Sequence, residues 1–398
     1  MLKGLILGIM VLAATPYVAS AQTAVKIGVL NDQSGPLSDF GGLGSVEAAK
    51  MAIEDFGGTV LGKPIELVSG DHQNKPDVAA GIARRWMDAD GVTAIADLTN
   101  SAVALAVQGL TRERGKIALL TAPGTDRLIN EDCSPTSFMW TFDTTGLARG
   151  VASAVVIEGG KSWFLITADY AFGRQMSKQI DEVVTNSGGK MVGQALHPVN
   201  NADFASQLLS AQASKTQVVG LASAGNDTTT TIKQAVEFGI VGGGQKLVAL
   251  VLVVSDVHSL GLSTAQGLQT TQAFYHDLND ATRAWSQRYF ARMKQMPGQI
   301  QASTYSGVLH YLKAVAKAGT SDGKAVAEQM RSMPVDDFYA PGARIREDGR
   351  LMNDQYLIEV KKPSESHAPW DYYKVLRKIP SVDAISPASE SRCYLMKH

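Results

Sequence analysis

Apolar and polar positions alternate along the chain in two rhythms. Short β-rich apolar runs, "VKIGVL", "PIELVSG", "VTAIADL" and "KIALLTA", are separated by stretches with helical spacing. Val46, Ala49, Ile53 and Phe56 step by three or four, as do Ala79, Ile82, Ala83 and Trp86. A third helix, "SAVALAVQGLTRERG", closes on Arg112, Glu113, Arg114 and a Gly stop. Strands alternating with helices at this spacing predict right-handed βαβ units and a parallel sheet.

The pattern then repeats. "KSWFLITAD", "GKMVGQAL", "TQVVGLASA" and "KLVALVLVV" read as strands, with helices over Phe172–Thr185, Asp203–Ala213 and Thr228–Phe238. Two α/β sets of similar size predict two lobes, with a boundary near "MWTFDTTG" (Met139–Gly146). Two longer helices follow, Asn279–Lys294 and Thr304–Ala318. In "DQYLIEVKKP" and "WDYYKVLRKIP", apolar and polar residues alternate as in a hairpin.

Composition narrows the function. The chain has 398 residues, 45% hydrophobic and 19% charged, with a formal charge of -1, enough for two cores. A near-neutral chain without a basic block argues against nucleic acid and against a charged membrane patch. Lys3, the apolar run Leu5–Ala14 and Ala19-Ser20-Ala21 before Gln22 have the layout of a secretory signal peptide. Residues 1–21 are therefore expected to be removed, leaving a protein outside the cytoplasm with no inserted segment. Its two cysteines, Cys133 and Cys393, are expected to form a disulfide in that compartment. Such a bridge ties the tail, 381–398, back to the first third of the chain.

Catalytic signatures are missing: no H-E-x-x-H, no G-x-S-x-G, no phosphate-binding Gly-rich loop, and no Cys/His spacing for a metal. Ser321 and Lys324 match a bare S-x-x-K inside a loop that enters a helix. No catalytic residue, metal or cofactor is expected. What clusters instead is small hydroxyl and amide residues at strand ends. "NDQSGPLSDFGGLG" (Asn31–Gly44) is joined by Asp97–Val107, Leu119–Leu128, Thr167–Gly173, Ser223–Thr231 and Val254–Leu262. Each joins a strand end to a helix start, where free N–H groups and the helix dipole favour an anion. For one loop, simple helix capping is the better account. Six loops on one edge of two sheets predict a ligand cradle, its floor formed by the first stretch, whose glycines let backbone approach a ligand.

The segments "KIGVLNDQSGPLSDFGG", "NSAVALAV", "TADYAFG", "IKQAVEFGI", "DGRLMNDQYLIEVKKPSES" and "APWDYYKVLRKIP" resemble the solute-binding proteins of ABC importers of the branched-chain amino-acid type. The C-terminal segments are similar to a branch linked to aromatic acids. The resemblance implies an α/β type I periplasmic-binding-protein fold, two Rossmann-like parallel-sheet lobes joined by three crossovers around a cleft. Crossovers are expected near Met139–Gly146, Gly267–Ala273 and Ile345–Asn353. Lobe one is then 24–142 plus 272–347, and lobe two 143–271 plus 348–380.

The resemblance also implies site residues. Asn100 and Ser101, with Thr125 or the backbone at Pro123 and Gly124, match the positions that hold a carboxylate. Tyr170 or Phe172 matches the aromatic residue that closes from lobe two, and Phe40 is a further stacking candidate. Asp256 matches the acidic partner of an amino-acid ammonium. Where amino-acid binders place a tyrosine, this chain has Ala224-Gly225-Asn226; this opens space, adds the Asn226 amide and counts against an α-amino acid. The implied protein is a periplasmic monomer that closes on a small carboxylate, whether aromatic acid, branched-chain amino acid, amide or dicarboxylate. It then delivers the solute to ABC permease subunits with cytoplasmic ATPases. A receptor-docking sensor and an exported enzyme are the rival readings.

Overall fold

The computed structural model describes residues 24–396; the expected signal peptide lies outside them. β1 (Lys26–Asn31) is followed by a short β2–β3 hairpin (Thr59–Val60 and Lys63–Pro64). Then come β4 (Glu66–Asp71), β5 (Ala94–Asp97), β6 (Ile117–Leu120) and β7 (Ser137–Met139). These build a parallel sheet in the order β4-β1-β5-β6-β7. β1, β5 and β6 are buried on both faces, which is why they read as unbroken apolar runs. Helices Gly42–Phe56 and Gln299–Ala318 cover one face. Helices Pro76–Asp88 and Ser101–Glu113 cover the other, around Trp86, Val103 and Val107.

A second parallel sheet contains β8 (Ser162–Ala168), β9 (Lys190–His197), β10 (Val218–Ala222) and β11 (Lys246–Ala249), in the order β11-β10-β8-β9. Its strands alternate their faces. Trp163 and Leu165 pack with Met176, Ile180 and Val184 of helix Ala171–Asn186, and Phe164 and Ile166 pack with Leu208 and Ile232 on the opposite side. The run expected as one long strand from Lys246 stops at Ala249. Leu250 and Leu252 instead lend their carbonyls to Thr270 Oγ1 and Gln272 Nε2 of the next strand.

That strand, β12 (Gln269–Gln272), joins β13 (Gln355–Val360) and β14 (Tyr373–Ile379) in an antiparallel sheet, with the expected hairpin as its β13–β14 half. Met139 and Arg350 lie side by side as a parallel bridge. There the buried Arg350 guanidinium donates to Asp143 Oδ2 at 2.8 Å and to the Leu351 carbonyl at 2.8 Å. Cys133 and Cys393 are bonded, with Cα atoms 5.7 Å apart, so the tail returns to the loop before β7.

Candidate functional site

In each parallel sheet the strand order reverses once, between β1 and β5 and between β10 and β8. Loops leaving the carboxyl ends of strands at such a reversal enclose a crevice. The two crevices face each other across one narrow cavity. Leu37 and Phe40 enter it from the loop after β1, Thr99, Asn100 and Ser101 from the loop after β5, and Ala122, Pro123 and Gly124 from the loop after β6. Phe142 comes from the stretch after β7. The second sheet supplies Tyr170, Phe172, Ala224 and Val251.

Of the residues singled out from the sequence, the structure brings Phe40, Asn100, Ser101, Pro123, Gly124, Tyr170 and Phe172 to this cavity. Thr125, Asn226 and Asp256 are not on its surface. Thr125 is buried beside it, its N–H donating to Ser101 Oγ at 3.1 Å and its own Oγ1 without a partner. The exposed Asn226 gives its backbone N–H to the Pro36 carbonyl at 3.2 Å, a contact between the two sheets' loops. Gly225 permits that approach, since its φ is 62° and a Cβ would lie 2.7 Å from the Pro36 oxygen. Asp256 turns back at the start of helix Val254–Leu260 to accept the Val253 N–H at 2.9 Å. Its burial pushes it up to about 7.

Phe142 and Val251 lie outside the six stretches singled out from the sequence; they are apolar residues just past strand ends. The glycines of the first loop also have another use. Asp32, buried, accepts the N–H groups of Gly35 at 2.8 Å and Leu37 at 2.9 Å, so the chain folds around that carboxylate. The residues this loop presents to the cavity are Leu37 and Phe40.

The polar wall is built on an unusual backbone. Asp97, Leu98 and Asn100 have φ of 75°, 58° and 80° within four residues, a cluster of costly conformations held by its surroundings. The hold is visible: Asp97 accepts Asn31 Nδ2 at 2.9 Å, the Thr99 N–H at 3.0 Å and Thr99 Oγ1 at 2.5 Å. Asn100 Oδ1 caps its helix by accepting the Ala102 N–H at 2.8 Å, and its Nδ2 donates to Asn74 at 2.6 Å. Both ends of the Asn100 amide are thus engaged within the protein. The donors of this turn left over are the N–H and hydroxyl hydrogen of Ser101 and the second Nδ2 hydrogen of Asn100, at the positive end of a 13-residue helix.

The other wall is aromatic. Phe40 and Phe142 meet edge-on, with centroids 6.4 Å apart, and Tyr170 and Phe172 lie 6.0 Å apart. Gly124 sits where these groups converge, because a Cβ there would be 2.7 Å from Phe142 and 2.8 Å from Phe172. Burial, and then the Asp227 charge, raise the Tyr170 phenol, so it is a neutral donor. Among the described residues, no Asp, Glu, Lys, Arg or His lines the cavity.

Residues 24–366 match the model of the periplasmic binding protein family. The chain belongs to that family. A periplasmic binding protein of Burkholderia mallei is 50% identical, with a TM-score of 0.92 over 94% of this chain and 99% of its own. A branched chain amino acid ABC transporter periplasmic ligand-binding protein of Burkholderia xenovorans is 40% identical, with a TM-score of 0.84 over 94% and 100%. A solute binding protein of an ABC transporter from Rhodopseudomonas palustris, in complex with 3,4-dihydroxy benzoic acid, shares the fold at 24% identity, with a TM-score of 0.82 over 90% and 98%. No curated protein sequence is detectably similar.

The periplasmic binding protein described here has the type I fold of that family, a lobe around each parallel sheet, and serves an ABC uptake system as its solute-binding component. Its named relatives are binding proteins rather than enzymes. Elsewhere between the two sheets' loops, Ser255 Oγ donates to the Asp39 carbonyl at 3.1 Å.

Proposed function

We propose that this protein binds a small aromatic monocarboxylate by hinge closure and hands it, unaltered, to its permease. The observation that carries the reading is the pairing of neutral donors with aromatic rings in a cavity that holds no ionised side chain. The carboxylate lies at Ser101 and the N-terminus of its helix, and Phe40, Phe142, Tyr170 and Phe172 enclose the ring. An α-amino acid fits poorly, since its ammonium finds no carboxylate and would be buried at a cost of several kcal/mol. The bound acid in the Rhodopseudomonas palustris structure supports the same class.

The lobes are taken as 24–142 with 272–347 and 143–271 with 348–380, hinging where Met139 and Arg350 run together. Solute binds the first lobe, and closure adds Tyr170 and Phe172. Export by the N-terminal segment and a monomeric state complete the reading. A thermal-shift comparison of benzoate, 4-hydroxybenzoate and 3,4-dihydroxybenzoate with leucine, isoleucine and valine tests it. A ligand at 100 times its dissociation constant stabilises by about 2.7 kcal/mol. A shift with the aromatic acids alone is expected; a shift with leucine and none with the acids overturns the ligand class.

A further inference from the structure

Behind the cavity, one carboxylate links the two lobes. Asp126 follows Thr125 directly and is 3% exposed. Its Oδ2 accepts Thr145 Oγ1 at 3.0 Å and Gln179 Nε2 at 3.2 Å, while its backbone N–H donates to Thr144 Oγ1 at 3.3 Å. Its Oδ1 is buried without a partner. Gln179 lies two turns into helix Ala171–Asn186, on which Phe172 reaches the cavity. Asp126 therefore joins the loop of Pro123 and Gly124 to the helix of Phe172, at a point the solute does not touch.

We propose that Asp126 is a positioning residue for closure, a latch that holds the Phe172 helix against the Gly124 loop and couples closure to proton uptake. The coupling follows from what surrounds it. Asp143, fixed by Arg350, faces it from the stretch before helix Thr144–Leu147. Glu131 and Arg392 approach from the loop and the tail, already paired with each other at 2.7 Å. Asp126 lines a polar groove with Arg149, which is paired with Glu390 at 2.7 Å, and with Arg392, Glu182 and Asp383. Both arginines of the groove are thus committed to other carboxylates. Burial, then the Asp143 charge, push Asp126 up to about 6.

Opening returns the group to water and to an ordinary carboxylate value near 3.9. The closed form then holds the proton more tightly. Its advantage is complete below that ordinary value and is lost as pH rises through 6. Affinity for a solute that stays ionised is expected to rise roughly tenfold from pH 8 to pH 5.

This inference rests on the hinge reading above, and the experiment separates the two. Benzoate affinity is measured by calorimetry at pH 8 and pH 5 for the full protein and for D126N, D126A and Q179A. D126N keeps an oxygen for Gln179 and Thr145 but carries no charge. It is expected to bind at pH 8 as the parent does at pH 5, with a flat profile. D126A loses the acceptor and Q179A the donor, and each is expected to weaken binding at pH 5 at least threefold. A parental pH slope in D126N, or unchanged affinity in D126A and Q179A, overturns the latch. If benzoate fails to bind, the ligand class falls and the radius of gyration of the solute-free protein decides. A radius that shrinks from pH 8 to pH 5 in the parent and not in D126N supports the latch; equal behaviour overturns it.

Discussion

The two walls of the cavity are built by different physics. On the first lobe, three residues with positive φ stand at the end of β5, held by buried hydrogen bonds from Asn31 and Thr99 and by one that Asn100 donates to Asn74. On the second lobe, Tyr170, Phe172, Ala224 and Val251 offer rings and methyl groups. On the proposed reading, one wall is a rigid, directional receptor for a charged group. The other is an apolar cover whose contribution scales with area and is insensitive to small shifts. The division suits a protein that closes: the exacting contact is set before closure, with Phe40 and Phe142 already beside it, and the moving part completes the tolerant cover.

The largest effect is expected where the walls meet. Gly124→Leu drives a side chain into Phe142 and Phe172 and fills the narrow cavity between them. All ligand-induced thermal shift is expected to vanish, while the overpacking itself costs about 1–3 kcal/mol of stability. A variant that still binds an aromatic acid would mean the solute sits elsewhere.

The polar wall separates binding from bracing. Ser101→Ala removes a cavity donor and is expected to weaken benzoate by about 1–3 kcal/mol, roughly fivefold to 150-fold, together with a loss of stability because the buried Thr125 N–H loses its acceptor. Asn100→Ala removes a cap instead and is expected to lower stability by about 1 kcal/mol before any effect on affinity. Calorimetry and melting on the pair distinguish the roles; a reversed pattern would make the Asn100 amide the solute's contact.

The apolar wall should give less. Phe172→Leu keeps volume but loses the ring, about 0.5–1.5 kcal/mol or roughly twofold to tenfold in benzoate affinity. Cyclohexanecarboxylate should lose less, and equal losses for the two acids would argue that Phe172 only fills space.

Much of this was legible in the sequence, and each failure has a physical cause. Strands β1, β5 and β6 declare themselves by apolar runs, and flanking helices by three-and-four spacing, because local pattern and burial coincide there. Five of the six polar strand ends do reach the cavity. The sixth, at Asp256, does not, because a carboxylate early in a helix finds a backbone N–H three residues behind it before it finds a solute. Asn100 shows the same competition, its oxygen going to the cap and its nitrogen to Asn74. Phe142 was hidden for the opposite reason, since an aromatic residue beyond a strand reads as core until the opposing lobe is in place. The Asp126–Gln179 bond spans 53 residues, and nothing local in either segment announces it.

Asp256 sharpens the comparison at its weakest point, because a carboxylate on the second lobe is what an amino-acid binder would need. Its burial raises it to about 7, so its contribution to folding is complete below about pH 4 and lost as pH rises through 7. Asp256→Asn keeps an oxygen for the Val253 N–H and removes the titration. The parent is therefore expected to lose melting temperature relative to D256N between pH 5 and pH 8. Benzoate affinity is expected to change by no more than about twofold, the scale of coupling between separated sites. A tenfold loss confined to leucine would instead place this carboxylate against an ammonium, and would turn the second wall from a cover into a second directional receptor.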